Sequence, residues 1–344
     1  MKKSLLSIFV GMLLFSISLV TVDAEKSNQF FQTNYYGNTL YVGGSGPGNF
    51  SLIQDAIDNA SIGDTIFVYP GTYDEHIIIE KSINLVGQNK KDTIIDAHGY
   101  DAVLITANSV KIEGFTIEYG GSGVILFYCT DSKIDNNRIR FNDHHGVYAI
   151  SSTIIQISEN TISNNVIDGI NFEMSMMGTI AENAITDNGN YGLYLIGNST
   201  NNEIFKNKIL RNQNGIGISS QCSTNGITEN IIKKNSGKGV NIFQDCDNNW
   251  FLRNDFIKNG QSAYDCSSNI WDDGVKGNHW DDYDGKDLNP KDGIGDTPYI
   301  IPGGDNQDNY PLMEPYNTVN YNQKSLPLFL RILNKILESL QNIR

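Results

Sequence analysis

Asn160-Thr-Ile-Ser-Asn-Asn165, Gly169-Ile-Asn-Phe-Glu173 and Thr179-Ile-Ala-Glu-Asn183-Ala-Ile-Thr-Asp-Asn188 form one stretch in which a motif closes and begins again 23 residues later. The motif, Asn-x-[Ile/Phe]-x-x-Asn, opens at Asn137, Asn160, Asn183, Asn207, Asn230 and Asn254 and closes at Asn142, Asn165, Asn188, Asn212, Asn235 and Asn259. A fixed period in this range is the mark of a solenoid, so it decides the fold before any local element is assigned. Working outward, an apolar residue stands three positions before each opening asparagine, from Ile134 to Phe251. A second run starts at Gly146, Gly169, Gly192, Gly215 and Gly239 and alternates apolar with polar, as in Val147-Tyr-Ala149 and Ile170-Asn-Phe172. Short period-2 runs punctuated by Gly and Asn read as strands.

Such strands stack as coils of a parallel β-helix, with like positions about 4.8 Å apart and isoleucine on isoleucine in the core. The asparagines are expected at turns that need left-handed backbone, bonding neighbouring amides. A leucine-rich horseshoe needs leucine at several fixed positions per repeat, where this chain has isoleucine and asparagine. The fold expected is an all-β solenoid, a single right-handed parallel β-helix over residues 37–268, with its repeats clearest at 114–259.

The ends differ from the middle. Lys2 and Lys3, the apolar run Leu5–Val20 and Val22-Asp-Ala24 read as a signal peptide, residues 1–24, which implies a secreted, extracellular or cell-surface protein. Ser51-Leu-Ile-Gln54 reads as a capping box, and Ile53, Ala56, Ile57 and Ala60 share one helical face, so a short helix is expected over the first coil. Strands are expected at residues 65–69, 77–79 and 83–86. After Asn259 come Asn-x-Trp-Asp-Asp at Asn269 and again at Asn278, then an acidic, glycine-rich run, which predicts a loop-rich C-terminal cap at 269–316. A polar linker, 317–324, leads to residues 325–343, where Phe329, Ile332, Leu333, Ile336, Leu337, Leu340 and Ile343 define an amphipathic helix suited to a membrane surface or a partner protein.

The net charge of −14 excludes the basic footprint that nucleic-acid binding requires. Sequons stand at Asn49, Asn59 and Asn198. Cys129, Cys222 and Cys246 each lie eight residues before a repeat asparagine, in a column otherwise filled by Thr106, Ser152, Ser175 and Ser199. That predicts small inward side chains and free thiols. Cys129 and Cys222 are four coils apart, roughly 19 Å, beyond disulfide reach. One coil separates Cys222 from Cys246, so the pairing state of Cys222, Cys246 and Cys266 stays open.

Four chemistries have candidate residues. An aromatic–amide face at Tyr148, Asn171 and Tyr194, outward between inward residues, suits a flat sugar ring. Glu159 and Glu182 share an outward column in adjacent coils and are the nearest approach to a hydrolytic carboxylate pair. Asp287, Asn289, Asp292 and Asp296 form an oxygen-rich, glycine-bearing loop compatible with calcium, without the closing glutamate of an EF-hand. His144, His145, Met174, Met176 and Met177 are soft donors of the kind copper takes, at offsets that place them on different parts of the coil.

Phe50–Asp58, Gly63-Asp-Thr-Ile66 and Gly71-Thr-Tyr-Asp-Glu75 resemble the opening of secreted pectin-lyase-like β-helix proteins. The repeats from Gly114 to Asn259 resemble those of carbohydrate-binding and sugar-hydrolysis proteins. The tail, with Gly277-Asn-His-Trp-Asp-Asp-Tyr283, Asp292–Tyr299 and Asn309–Met313, is similar to the NosD-like proteins abundant in archaea. The NosD resemblance implies a periplasmic role in copper delivery. The Asp-Phe-x-Phe-Gly context of pectin methylesterases is missing, and Asp143-His-His-Gly146 stands where polygalacturonases carry Gly-His-Gly. The function expected is a non-catalytic surface module for glycans or a cell-surface protein, with a polysaccharide hydrolase or lyase and a copper accessory protein as the alternatives.

Overall fold

Isoleucine does lie on isoleucine. In the computed structural model, which describes residues 37–316, Ile112, Ile134, Ile157, Ile180, Ile204, Ile227 and Phe251 are register partners in successive coils. A second column runs from Ile117 through Ile185 to Phe256. All these side chains are fully buried. Each coil contributes one short strand to each of three parallel sheets, of ten, ten and nine strands. Sheet 1 begins with Thr39–Val42, sheet 2 with Gly71–Asp74 and sheet 3 with Ile77–Ile79. The architecture is a right-handed parallel β-helix of about eleven turns. The strand Thr39–Val42 was not assigned from sequence, because it precedes the repeats.

The repeat asparagines behave differently from expectation. The left-handed residue is the one before each of them: Asn136, Glu159, Glu182, Lys206, Glu229 and Arg253 have φ between 52° and 59°. The asparagines themselves point inward and form ladders. The backbone N–H of Asn160 donates to Asn183 Oδ1 at 3.0 Å, and that of Asn183 to Asn207 Oδ1 at 3.0 Å. Each amide Nδ2 also donates to a carbonyl of the coil behind, as Asn183 does to Ile157 at 2.8 Å. A corner residue whose backbone groups leave the sheet needs internal partners once buried, and the stacked amides supply them. A parallel ladder joins Asn142, Asn165, Asn188, Asn212, Asn235 and Asn259. The repeat glycines lie beneath this second ladder: a Cβ at Gly146 would stand 2.6 Å from Gly169 O and 2.8 Å from Asn165 Nδ2.

The small-residue column is confirmed. Ser152 N donates to Ser175 Oγ, Ser175 N to Ser199 Oγ and Ser199 N to Cys222 Sγ. All four cysteines are free, and burial pushes the Cys222 thiol up to about 12.

The N-terminal helix, Ile53–Asn59, buries Ile53, Ala56 and Ile57 over the first coil. The expected capping box does not form, since the N-cap is Leu52. The Glu75 carboxylate takes its place, accepting from Ile53 N at 2.8 Å and Gln54 N at 2.9 Å. An acidic group at a helix N-terminus meets both the free amides and the dipole. Lys81 Nζ donates to the carbonyls of Ile57, Asp58 and Ala60 at the other end.

At the C-terminal end the solenoid runs past residue 268, because His279–Trp280 adds a last strand to sheet 2. The two Asn-x-Trp-Asp-Asp segments end the core columns: Trp271 stacks on Phe251 at 4.2 Å and Trp280 on Phe256 at 4.3 Å. Asp308 lies buried beneath them, accepting from Asn278 N, Trp280 Nε1 and Tyr310 N. Burial raises its carboxyl to about 6 against those hydrogen bonds. The same group ionises near pH 3.9 in an unfolded chain. Between those values the folded state binds more protons, so its contribution to stability falls as pH rises from about 4 to about 6. Acidifying from pH 7 to 5 should therefore stabilise the wild type relative to Asp308→Asn by about 1 kcal/mol, read as a difference in denaturation midpoints. Parallel profiles for the two proteins would refute the assignment.

The signal peptide, the linker and the 325–343 helix lie outside the described residues. Within the described residues no helix is long and apolar enough to cross a membrane.

Candidate functional site

Sheet 3 carries the polar, aromatic face of the solenoid. Its strands Val147–Ile150, Ile170–Glu173 and Tyr191–Ile196 put Tyr148, Asn171 and Tyr194 in direct register. The column continues through Gly217, Asn241 and Tyr264. The three residues singled out from sequence are thus neighbours on one face. A second outward column, three residues earlier in each coil, runs beside it and includes His145, Asp168, Tyr191 and Lys238. Of this second column the sequence singles out His145 alone; each member immediately precedes a repeat glycine, and that shared position is the signal that marks the others.

Within each coil the paired residues touch. The rings of His145 and Tyr148 are 4.9 Å apart, and Tyr191 stacks on Tyr194 at 4.7 Å and 14°. Asn171 Nδ2 donates to Asp168 Oδ2 at 2.9 Å, and Lys238 Nζ donates to Asn241 Oδ1 at 3.1 Å. The two tyrosine rings lie over Gly217, where a Cβ would meet Tyr191 Cε1 at 2.6 Å and Tyr194 Cδ2 at 2.7 Å. Leaning that way, Tyr191 reaches two coils along to accept from Asn241 Nδ2 at 3.0 Å. Tyr148 instead donates its hydroxyl to Glu173. Burial first, and the Glu173 carboxylate second, push that hydroxyl's pKa upward. Burial likewise raises Tyr191.

Between the leaning rings lies Asn171, with 6% of its surface exposed. Its orientation is fixed, because Nδ2 must face the Asp168 carboxylate. Oδ1 is therefore the free end, and it has no hydrogen-bond partner. His145 Nδ1 is also buried and unpartnered; it stands 3.2 Å from Asp168 Oδ2 without hydrogen-bond alignment. Asp168 is engaged by three donors: Oδ1 accepts from Asn190 Nδ2 and Tyr191 N while Oδ2 holds Asn171. A carboxylate committed to three donors positions its neighbours and is not disposed to attack a glycosidic carbon.

The other candidates lie elsewhere. Glu159 and Glu182 are exposed at left-handed corners between sheets 1 and 2, away from the sheet 3 face. In the acidic loop, Asp287 accepts from the amides of Asp292 and Gly293, Asp292 from Ile294 and Asp296 from Leu288. These carboxylates tie the loop to itself. Among the described residues one group of three acidic or histidine side chains has ligand atoms within 4.8 Å of one another, and it is the solvent-facing Asp74, Asp96 and His98.

Residues 57–285, more than half of the chain, match the family described as "Periplasmic copper-binding protein (NosD)". The chain belongs to the NosD family. A cell surface glycoprotein of Methanothermus fervidus is 30% identical over 303 residues, covering 67% of this chain and 51% of that protein. The NosD-family chain thus spans about half the length of that curated relative. The crystal structure of pectate lyase Pel9A superposes with a TM-score of 0.56 at 16% identity, covering 70% of this chain and 74% of that one. At this identity the likeness concerns the fold.

The family description names copper, and the donors of this NosD-family chain can be tested against it. Met174, Met176 and Met177 are exposed in the turn after Ile170–Glu173, whereas His144 and His145 precede Val147–Ile150. The two sets stand at opposite ends of sheet 3, with a four-residue strand or roughly 13 Å between them. Metal–ligand bonds are about 2 Å long, so these side chains do not close one coordination sphere. These five side chains do not fit a single copper site.

Proposed function

We propose that this protein is a secreted or cell-surface β-helix module that binds a glycan along sheet 3 without cleaving it. The observation that carries the reading is the unpartnered, buried Asn171 Oδ1 between the Tyr148 and Tyr191–Tyr194 rings. A buried acceptor left without a donor costs about 1–3 kcal/mol, which a ligand hydroxyl at that point recovers. Aromatic faces beside a directed amide are the usual furniture of a small polar-ligand site. The surface location is supported by the leader-like Lys2–Ala24, the "periplasmic" of the family description and the name of the Methanothermus relative. Engagement of Asp168 by three donors favours binding over hydrolysis.

The test is titration calorimetry against a panel of oligosaccharides, with reducing-end release followed in parallel. The wild type should bind at least one oligosaccharide and release no new ends. Tyr194→Ala should weaken that binding about tenfold, equivalent to about 1.4 kcal/mol. Its melting temperature should fall by no more than a few degrees, because Tyr194 is half-buried on the outer face and loses only its stack on Tyr191 and its hydrogen bond with Ser219 Oγ at 2.8 Å. No binding by the wild type, or undiminished binding by Tyr194→Ala, would defeat the proposal; released ends would show an enzyme.

A further inference from the structure

We infer that the sheet 3 surface at Asn171 selects sugar rings that present hydroxyl or amino donors and rejects rings that carry a carboxylate. The inference rests on the glycan-binding reading and adds the substrate class.

Asn171 Oδ1 is covered in the free protein and is the side chain's one uncommitted end, since Nδ2 is held by Asp168 at 2.9 Å, so a ligand meets it only by displacing what covers it. The group that meets Oδ1 must donate. Two carboxylates stand beside that point, with His145 next to the first: Asp168 is in contact with Asn171 and 3.2 Å from His145 Nδ1, and Glu173 lies two residues on along the same strand, receiving the Tyr148 hydroxyl. Like charges brought together at a desolvated contact cost several kcal/mol. The cation of this face, Lys238, stands three coils along the sheet from Asn171, where it donates to Asn241 and lies 4.4 Å over the Tyr264 ring. It cannot neutralise a carboxylate seated at Asn171. An ammonium there is favoured by both neighbouring carboxylates, and a neutral hydroxyl is accepted without penalty.

The probes are three oligomers of similar length: a neutral hexose oligomer, a glucosamine oligomer and a galacturonate oligomer. They are titrated into the full chain in buffer free of divalent cations. The glucosamine and neutral oligomers should bind, and the galacturonate oligomer should be weaker by roughly tenfold or more at low salt. The gap should narrow as salt rises past about 0.1 M, where the Debye length falls to about 10 Å. Glu173→Gln should narrow it several-fold at low salt, while Asp55→Asn, on the N-terminal helix, should leave it unchanged. This control separates the Asn171 surface from the general repulsion of a chain of net charge −14. Galacturonate binding as tight as the neutral oligomer, sensitive to Tyr194→Ala, would overturn the selectivity and leave the glycan site standing. An equal effect of Asp55→Asn and Glu173→Gln would assign the discrimination to net charge and also overturn it. Failure of every oligomer to bind would remove the glycan reading itself.

Discussion

Ile185→Asp is expected to lower stability by several kcal/mol, with a melting-temperature loss of about 10 °C or more. Ile185 is fully buried between Ile162 and Ile209. A carboxylate there has no cation or donor to meet, and a lone buried charge costs several kcal/mol even after its pKa adjusts. Part of the loss should return on acidification, because protonation removes the charge. Lys233→Asp, one residue beyond the buried Ile232 and on the outer side of the strand, should shift the midpoint by less than about 1 kcal/mol. Arg140 makes a poorer control, since its Nε donates to Glu118 at 2.7 Å and an aspartate would face that carboxylate. Equal losses at Ile185 and Lys233 would disprove the coil register.

Asn183→Leu should be nearly as damaging, for a different reason. The branched shape and heavy-atom count are kept, so no cavity opens, but the ladder is cut at its middle. Asn160 loses the acceptor for both its backbone N–H and its Nδ2. Ile157 O and Asn207 Oδ1 lose a donor. Asn160 Nδ2 keeps Ile134 O and Asn207 Oδ1 keeps the residue 183 amide, so two of the four groups are left bare; at about 1–3 kcal/mol each, a total of about 2–6 kcal/mol is expected. Asn259→Leu, at the partly exposed end of the second ladder, should cost clearly less because water can replace the lost partners. Chemical denaturation of the two variants decides the matter: a loss below about 1 kcal/mol for Asn183→Leu would mean the ladder is ornamental.

The period, the isoleucine columns and the register of Tyr148, Asn171 and Tyr194 were all legible in the sequence, because a solenoid repeats its geometry with its spacing. The role of the asparagines was only half legible. A side chain that bonds its own turn and one that bonds the next coil look the same in one dimension. The telling signal was the residue in front, which varies through Asn136, Glu159, Lys206 and Arg253 as a solvent-facing corner does. Asp168, Glu173 and Tyr191 escaped notice because their roles depend on reach: Tyr191 meets Asn241, 50 residues away. Glu75 escaped for the same reason, capping a helix 21 and 22 residues earlier in the chain.

The asparagine ladder has a direction. Each coil's backbone amides are answered by the side-chain oxygen of the coil made after it, from Asn137 on Asn160 to Asn254 on Asn278. A growing chain emerging N-terminus first therefore always carries one unfinished coil, whose donors wait for residues not yet synthesised. Asn278 N ends the series on Asp308 Oδ2 at 2.7 Å, so an anion closes what every earlier coil leaves open. A chain stopped short of Asp308 would leave the Asn278 amide unanswered beside open strand edges. An open edge of this kind is a template for further strand pairing, and the C-terminal cap covers it.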